Sequence, residues 1–340
     1  MTATEDELTG WAEAHRRELV AHCYRMLGSP FDAEDAVQET FARAWRRVSQ
    51  YDARRGSPRT WLYGIATNVC IDWLRGRTRR ARAEDLGPPT APDAPLGTPL
   101  PVDRWVEPLP EWPVGHADEA DPATVVTTRE SVRLAFVAAL QRLAPRQRAV
   151  LLLRDVLGWR AAETAELLGT TTAAVNSALQ RARTTLADTD AREGEGGEPA
   201  DPRNTRQREL LERYLAAFER FDVDALVGLL REDATMSMPP FAWWLAGREA
   251  IEHAWRNADG ACDGTLLLPM VASGAPAFAQ YVPDEPGGPP RPRAVVVLDT
   301  AGDRIRGMSL FLDTPRLFPA FGIPLDPEAV AKARDQLMPG

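Results

Sequence analysis

Apolar residues recur at helical spacing over roughly the first eighty positions and again near positions 124–187, whereas strand-like runs gather only towards the C-terminus. Leu8, Trp11, Leu19, Val20, Cys23, Met26 and Leu27 stripe a first helix that stops at Gly28-Ser29-Pro30. Asp32 opens a second helix, with acids in its first turns and Arg43, Arg46 and Arg47 in its last, the order the helix dipole favours. A loop at 52–58 leads to a third helix over 59–77, which buries Trp61, Leu62, Ile65, Ala66, Val69 and Trp73 or Leu74. Residues 83–123 break the pattern: they hold ten prolines and no apolar period, and predict a linker with little helix. Fully extended, such a segment reaches about 130 Å at roughly 3.1 Å per residue.

The stretch 159–187 is the most specific local signal. A short helix from Ala161 ends at Gly169, Thr170-Thr171-Thr172 make a turn, and a second helix starts near Ala173. Small Ala165 lets the two helices approach, Gly169 suits a left-handed cap, and Val175 packs the second helix on the first. Val175, Leu179, Ala182 and Leu186 face inward, which leaves Asn176, Ser177, Gln180, Arg181 and Thr184 outward. No acid interrupts 167–187, so this face suits a major groove, a packed helical hairpin being the competing reading.

From 206 onward the character changes. An amphipathic helix carries Leu210, Leu211, Tyr214, Leu215 and Phe218, and a short helix at 224–230 precedes a strand at 234–238 and a helix at 248–256. Apolar runs at 265–272, 277–282, 293–300 and 304–313 follow, the last two flanking the hairpin signal Ala301-Gly302-Asp303. Helices followed by a meandering antiparallel sheet predict an α+β domain. The chain thus divides into a helical domain (7–82), an acidic linker (83–123), a helix-turn-helix domain (124–187), a Gly/Glu-rich linker (188–205) and the α+β domain (206–330).

Charge changes this picture in one respect. The net charge of −9 over 340 residues speaks against nucleic acid, but it hides a segregation. Residues 41–82 hold eleven arginines against Asp52 and Asp72, and residues 83–123 hold nine acids against Arg104 alone. Screening confines each charge to about 10 Å at moderate salt, so a local positive field suffices for phosphate. Cys23, Cys70 and Cys262 match no metal spacing and read as reduced thiols, with no metal or cofactor expected. With no long apolar run and an acidic N-terminus unlike a signal peptide, a cytoplasmic protein without membrane contact is expected.

Three segments, in order, resemble the extracytoplasmic-function sigma factors of the sigma-70 family. Residues 32–45, Asp-Ala-Glu-Asp-Ala-Val-Gln-Glu-Thr-Phe-Ala-Arg-Ala-Trp, resemble the helix that docks on the polymerase clamp. Residues 59–68, Arg-Thr-Trp-Leu-Tyr-Gly-Ile-Ala-Thr-Asn, resemble the helix that melts and reads the minus ten element. Residues 140–148, Leu-Gln-Arg-Leu-Ala-Pro-Arg-Gln-Arg, with the helix-turn-helix, resemble the minus thirty-five domain. The resemblance implies contacts to core RNA polymerase through Asp32, Asp35, Gln38, Glu39, Phe41 and Trp45. It implies a minus ten platform of Arg54, Arg55, Arg59, Thr60, Trp61, Tyr63, Asn68 and Arg75, on which stacking contributes roughly 1–3 kcal/mol per base. For the minus thirty-five element it implies Thr172, Ala173, Asn176, Ser177, Gln180, Arg181 and Arg183. Asn176-Ser177-Ala178 stands where many members carry a basic residue, a serine and an arginine, so adenine edges for Asn176 and Gln180 are the expectation. Two elements some seventeen base pairs apart are about 58 Å apart, within the linker's reach. Trp105 and Trp112, among prolines, are unusual for a pure spacer.

Residues 206–325 resemble SnoaL-like domains of the nuclear-transport-factor-two-like fold, on Met238-Pro239-Pro240, Trp243, Trp244 and Gly247-Arg248-Glu249-Ala250-Ile251. The resemblance implies an α+β cone, with Met236, Met238, Phe241, Trp243, Trp244, His253 and Phe278 lining an apolar pocket or packing on the sigma domains. A small apolar ligand there is one alternative, and a cyclase or isomerase fused to a DNA-binding module is another. No spacing singles out a base among Asp263, Asp299, Asp313, His253 and Tyr281, so no enzyme is expected. The expectation is a sigma factor, monomeric when free, that binds core RNA polymerase and promoter DNA and is regulated in cis by its C-terminal domain.

Overall fold

Local capping sets the first three helices. In the computed structural model α1 (Glu5–Leu27) opens on a capping box between Thr4 and Glu7 and closes at Gly28. α2 (Pro30–Arg47) starts two residues before the charge pattern does, because Ser29 caps it and Pro30 occupies its first turn. α3 (Pro58–Leu74) is capped by Ser57 and ends three residues short of Arg77. The structure describes residues 4–110 apart from Arg55, 132–193, and 199–330 apart from 202–203, 259–261, 263, 286 and 327–328. These fall into two compact units, Met1–Arg80 with Leu134–Gly196 and Ala81–Arg133 with Gly197–Gly340.

In the first unit α1, α2 and α3 pack on one another, and α4 (Leu134–Gln141), α5 (Pro145–Leu151), α6 (Ala161–Leu167) and α7 (Thr172–Glu193) complete it. Every residue of α3 from Leu62 to Ile71 is buried except Asn68. Helices cover it on both sides, since α3 also packs against α5. The joint is Arg148, 3% exposed, whose guanidinium donates to the carbonyls of Leu140, Gln141 and Leu143, to Gln141 Oε1 and to the Met26 carbonyl. Gln141 Nε2 also donates to the Arg25 carbonyl at 3.5 Å. Side chains of α4 and α5 thereby satisfy carbonyls that α1 leaves open at its C-terminus. Burial lowers the Arg148 guanidinium to about 9, which leaves it charged at neutral pH.

His22 lies in the same core. The Thr67 hydroxyl donates to the Tyr63 carbonyl at 2.7 Å, so it accepts from His22 Nε2 at 2.9 Å. His22 Nδ1 is left a bare acceptor, without a partner among the described residues. Burial, with Arg25 and Arg59 nearby, holds the ring neutral and lowers it to about 3.

The second unit is built on one six-stranded sheet of β1 (Leu230–Ser237), β2 (Trp244–Ala246), β3 (Leu266–Ala272), β4 (Ala275–Pro283), β5 (Pro290–Ala301) and β6 (Arg304–Phe311), in the order β2-β1-β6-β5-β4-β3. The expected all-antiparallel meander is corrected at one seam: β1 pairs parallel with β6, because the chain crosses from one edge of the sheet to the other between β2 and β3. α8 (Thr205–Glu219), α9 (Val223–Leu229) and α10 (Arg248–Arg256) supply the apolar cover, and α11 (Thr314–Ala320) follows the last strand. Tyr214, Phe218, Met236, Trp255, Phe278 and Met308 fill the interior, with the Tyr214 and Phe278 rings 5.4 Å apart.

Residues 83–110 do not behave as the free spacer their composition predicts. The chain doubles back so that Ala81 pairs with Arg104 and Val106, and Trp105 is 2% exposed. At one sheet edge Thr90 N donates to the Trp244 carbonyl of β2 at 2.8 Å. At the other, Pro110 bridges Ala272 of β3, Ser273 N donates to the Leu109 carbonyl and Leu109 N donates to Ser273 Oγ. Prolines remove donors from this segment but leave its carbonyls and a few amides, and open sheet edges offer partners for both.

One prediction follows from the His22 pocket. The unfolded ring takes a proton near its ordinary value and the folded ring does so only near 3, so the unfolded state binds more protons as pH falls below about 6.5. Stability of the first unit is therefore complete above that pH and drops by about 2 kcal/mol between pH 7 and 5. Denaturant titration followed by hydrogen exchange in α1 and α3 measures it, and His22→Leu removes most of the slope.

Candidate nucleic-acid interface

The helix-turn-helix forms where the sequence places it. Gly169, at φ +59, makes the left-handed turn between α6 and α7, and Val175, Leu179 and Ala182 are buried. Thr172, Ala173, Asn176, Ser177, Gln180, Arg181 and Arg183 are all exposed on α7. Two of them have partners already: Arg181 donates to Ser177 Oγ at 2.7 Å, and Arg183 is paired with Asp155 at 2.7 Å. Asn176, Ser177, Gln180 and Arg181 together present an amide, a hydroxyl, an amide and a guanidinium along one stripe, a donor-rich set suited to base edges.

On α3 the expected platform is divided. Trp61 is half-buried in an aromatic cluster with Trp11 at 6.5 Å and Tyr51 at 5.4 Å. Asn68 is exposed two turns further along the same stripe, with Gly64 and Ile65 between them. Tyr63 is corrected. It is 1% exposed, its hydroxyl donates to Glu18 Oε2 at 3.2 Å, and burial raises its phenol well above the ordinary range, so its ring offers no face to a base here. Arg59 stacks over that ring at 4.9 Å and pairs with Glu18 at 2.7 Å. Arg54 is held by Asp52 and Arg75 by Asp72, both exposed, and Thr60 bonds Ser57; Arg55 lies outside the described residues. Tyr51, which the sequence reading passed over, belongs with Trp61; only its place just before the loop could have marked it.

α2 carries the third surface. Asp35, Gln38 and Trp45 lie exposed on one face, and Trp45 is the largest exposed apolar side chain among the described residues, at 46%. Phe41 is half-buried, Glu39 pairs with Arg43 at 2.7 Å, and Asp32 is held by Arg77 and Arg80 at 3.0 and 2.8 Å. Asp32 therefore anchors the chain leaving α3 to α2.

The C-terminal set is also redistributed. Met236, Trp243 and Phe278 belong to the packed core, with Met238 and Phe241 against it. His253 is corrected: it is exposed on α10 and lines no interior. The Trp243 indole donates to the Ala94 carbonyl and the Trp244 indole to the Gly87 carbonyl, both at 3.1 Å. Leu100 N donates to the Pro240 carbonyl at 2.8 Å. The two tryptophan indoles thus hold the 87–94 stretch of the chain. Of the candidate carboxylates, Asp299 lies between Arg133 and Arg306, and Asp313 pairs with Arg316; Asp263 lies outside the described residues, as does Trp112.

This architecture, two helical modules with a largely buried α3 in the first and a helix-turn-helix with an exposed second helix in the other, is that of a sigma-70 type factor. Sigma-70 region 2 matches residues 11–80, sigma-70 region 4 matches 133–186, and a SnoaL-like domain matches 211–308. ECF RNA polymerase sigma factor SigG of Mycobacterium tuberculosis is 47% identical over 325 residues, spanning 94% of this chain and 84% of SigG. SigJ of the same species is 33% identical over 225 residues, 66% of this chain and 62% of SigJ. The crystal structure of SigJ shares the fold, with a TM-score of 0.59 at 24% identity, over 92% of this chain and 98% of that one. The chain belongs to the ECF RNA polymerase sigma factors. No helix among the described residues is long and apolar enough to cross a membrane.

The tryptophan hold on the linker gives a testable expectation. Each indole hydrogen bond contributes about 1 kcal/mol, so Trp243→Phe with Trp244→Phe raises opening of the 87–104 segment roughly tenfold or more. Tryptic cleavage after Arg104, timed on the full chain, reads this rate.

Proposed function

We infer that the chain binds core RNA polymerase and directs initiation at a restricted set of promoters, and that its SnoaL-like domain regulates this activity in cis. The exposed face of α2, with Trp45, is the polymerase contact. Trp61 and Asn68 on α3 receive the minus ten element, and Asn176, Ser177, Gln180 and Arg181 on α7 read the minus thirty-five element. The observation that carries the regulatory part is the clasp: residues 87–110 are hydrogen-bonded to both edges of the C-terminal sheet. A tether held this way loses most of the reach that a free proline-rich chain would have. The domain acts by gripping the linker between the two DNA-binding modules, and catalysis is no part of the reading, because Asp299 and Asp313 are both neutralised by arginines.

Two measurements test these roles. Arg181→Ala weakens binding of a cognate minus thirty-five duplex by roughly 1–3 kcal/mol and leaves scrambled duplex unaffected; an equal loss on both would make Arg181 a phosphate contact only. In run-off transcription with purified core polymerase, removing residues 206–340 changes promoter output severalfold, and unchanged output would sink the regulatory role.

A further inference from the structure

We propose that the free chain is held closed by α6, which sits on the base-reading face of α3 as an internal lid. This rests on the reading of α3 given above. The stripe Trp61, Gly64 and Asn68 does not stand clear of region 4: with Trp159, Glu163 and Glu166 it lines a half-open cleft of about 360 Å³. At its floor Leu167 enters the notch left by Gly64, where an added Cβ would lie 2.6 Å from Leu167 Cδ1. Trp159 closes one end with its ring edge-on to Tyr63 at 6.3 Å. Arg148 holds the same two modules together through the Met26 carbonyl.

Two physical consequences make this a lid and not merely a packing contact. Modules that touch cannot span two promoter elements about 58 Å apart, so this arrangement grips one element at most. Charge points the same way. Glu163, although paired with Arg160 at 3.2 Å, and Glu166 line the cleft in which an unstacked base and its phosphates would have to settle, and phosphates are opposed by carboxylates there. Opening must withdraw Leu167 from its notch and move both carboxylates away. A partner that binds the α2 face and α7 with the modules apart, as a polymerase carrying both elements does, favours the open state by its differential affinity alone.

The test uses the full-length chain and Leu167→Glu, which charges the notch while Leu167, half-buried, lies outside the helix-turn-helix core. Fluorescence anisotropy with a fluorescein-labelled single strand carrying the minus ten element reads affinity, and small-angle scattering reads opening. Unchanged binding of minus thirty-five duplex confirms that region 4 is folded. The expected result is at least tenfold tighter single-strand binding by the free variant, a larger radius of gyration, and less than twofold change in transcription by the assembled holoenzyme. Opening without tighter binding overturns the proposal, and so does a variant that stays closed. Failure of the underlying reading shows separately: Trp61→Ala with Asn68→Ala would then leave holoenzyme transcription unchanged.

Discussion

A buried guanidinium organises the helical half of this protein. Arg148 sits among carbonyls from α4, the α4–α5 turn and the end of α1, and no water-exposed arrangement of those groups would satisfy them as well. Burying a charge is costly unless it is fully hydrogen-bonded, and here five acceptors do that. Because one acceptor belongs to α1 and the rest to α4 and the α4–α5 turn, the group that folds region 4 also ties it to region 2. The placement of α6 over α3, with Leu167 in the glycine notch and the cleft beside it, goes with that tie.

The C-terminal half solves a different problem. A six-stranded sheet has two open edges, and each would invite pairing with another chain. Here the linker covers both, with Thr90 at β2 and Leu109 and Pro110 at β3. The indoles of Trp243 and Trp244 reinforce this by donating to the carbonyls of Ala94 and Gly87. Arg133 adds an ion pair to Asp299, so the clasp extends to the residue just before region 4. The SnoaL-like domain is, on this account, a holder of its own chain.

Much of this was legible beforehand because it is local. The starts of α2 and α3, expected at Asp32 and Arg59 and found at Pro30 and Pro58, the turn at Gly169 and the inward stripe of α7 are properties of a few neighbouring residues. What was missed is non-local. Tyr63 looks like a stacking residue until Glu18, forty-five positions away, takes its hydroxyl. The parallel seam between β1 and β6 joins segments some seventy residues apart, and β2 is only three residues long. The linker's prolines predicted little helix, and residues 83–110 hold only short helical turns at Ala83–Asp85 and Val102–Arg104, but composition carries no information about where such a chain doubles back or which sheet edge it meets. Nothing in the sequence marks Glu163 and Glu166, and only the packing of α6 near α3 places them on the cleft beside Trp61 and Asn68.

The central claim is that regions 2 and 4 are stored in contact and must separate to engage a promoter. The most direct measurement is a single distance, between spin labels at the exposed positions Ala14 on α1 and Ala162 on α6, away from the faces assigned to polymerase and DNA, taken by pulsed electron paramagnetic resonance. The account predicts one short distance in the free full-length chain, replaced by a distance tens of ångströms longer once core polymerase is added. A broad or long distribution in the free chain, or an unchanged short one in the holoenzyme, would contradict it.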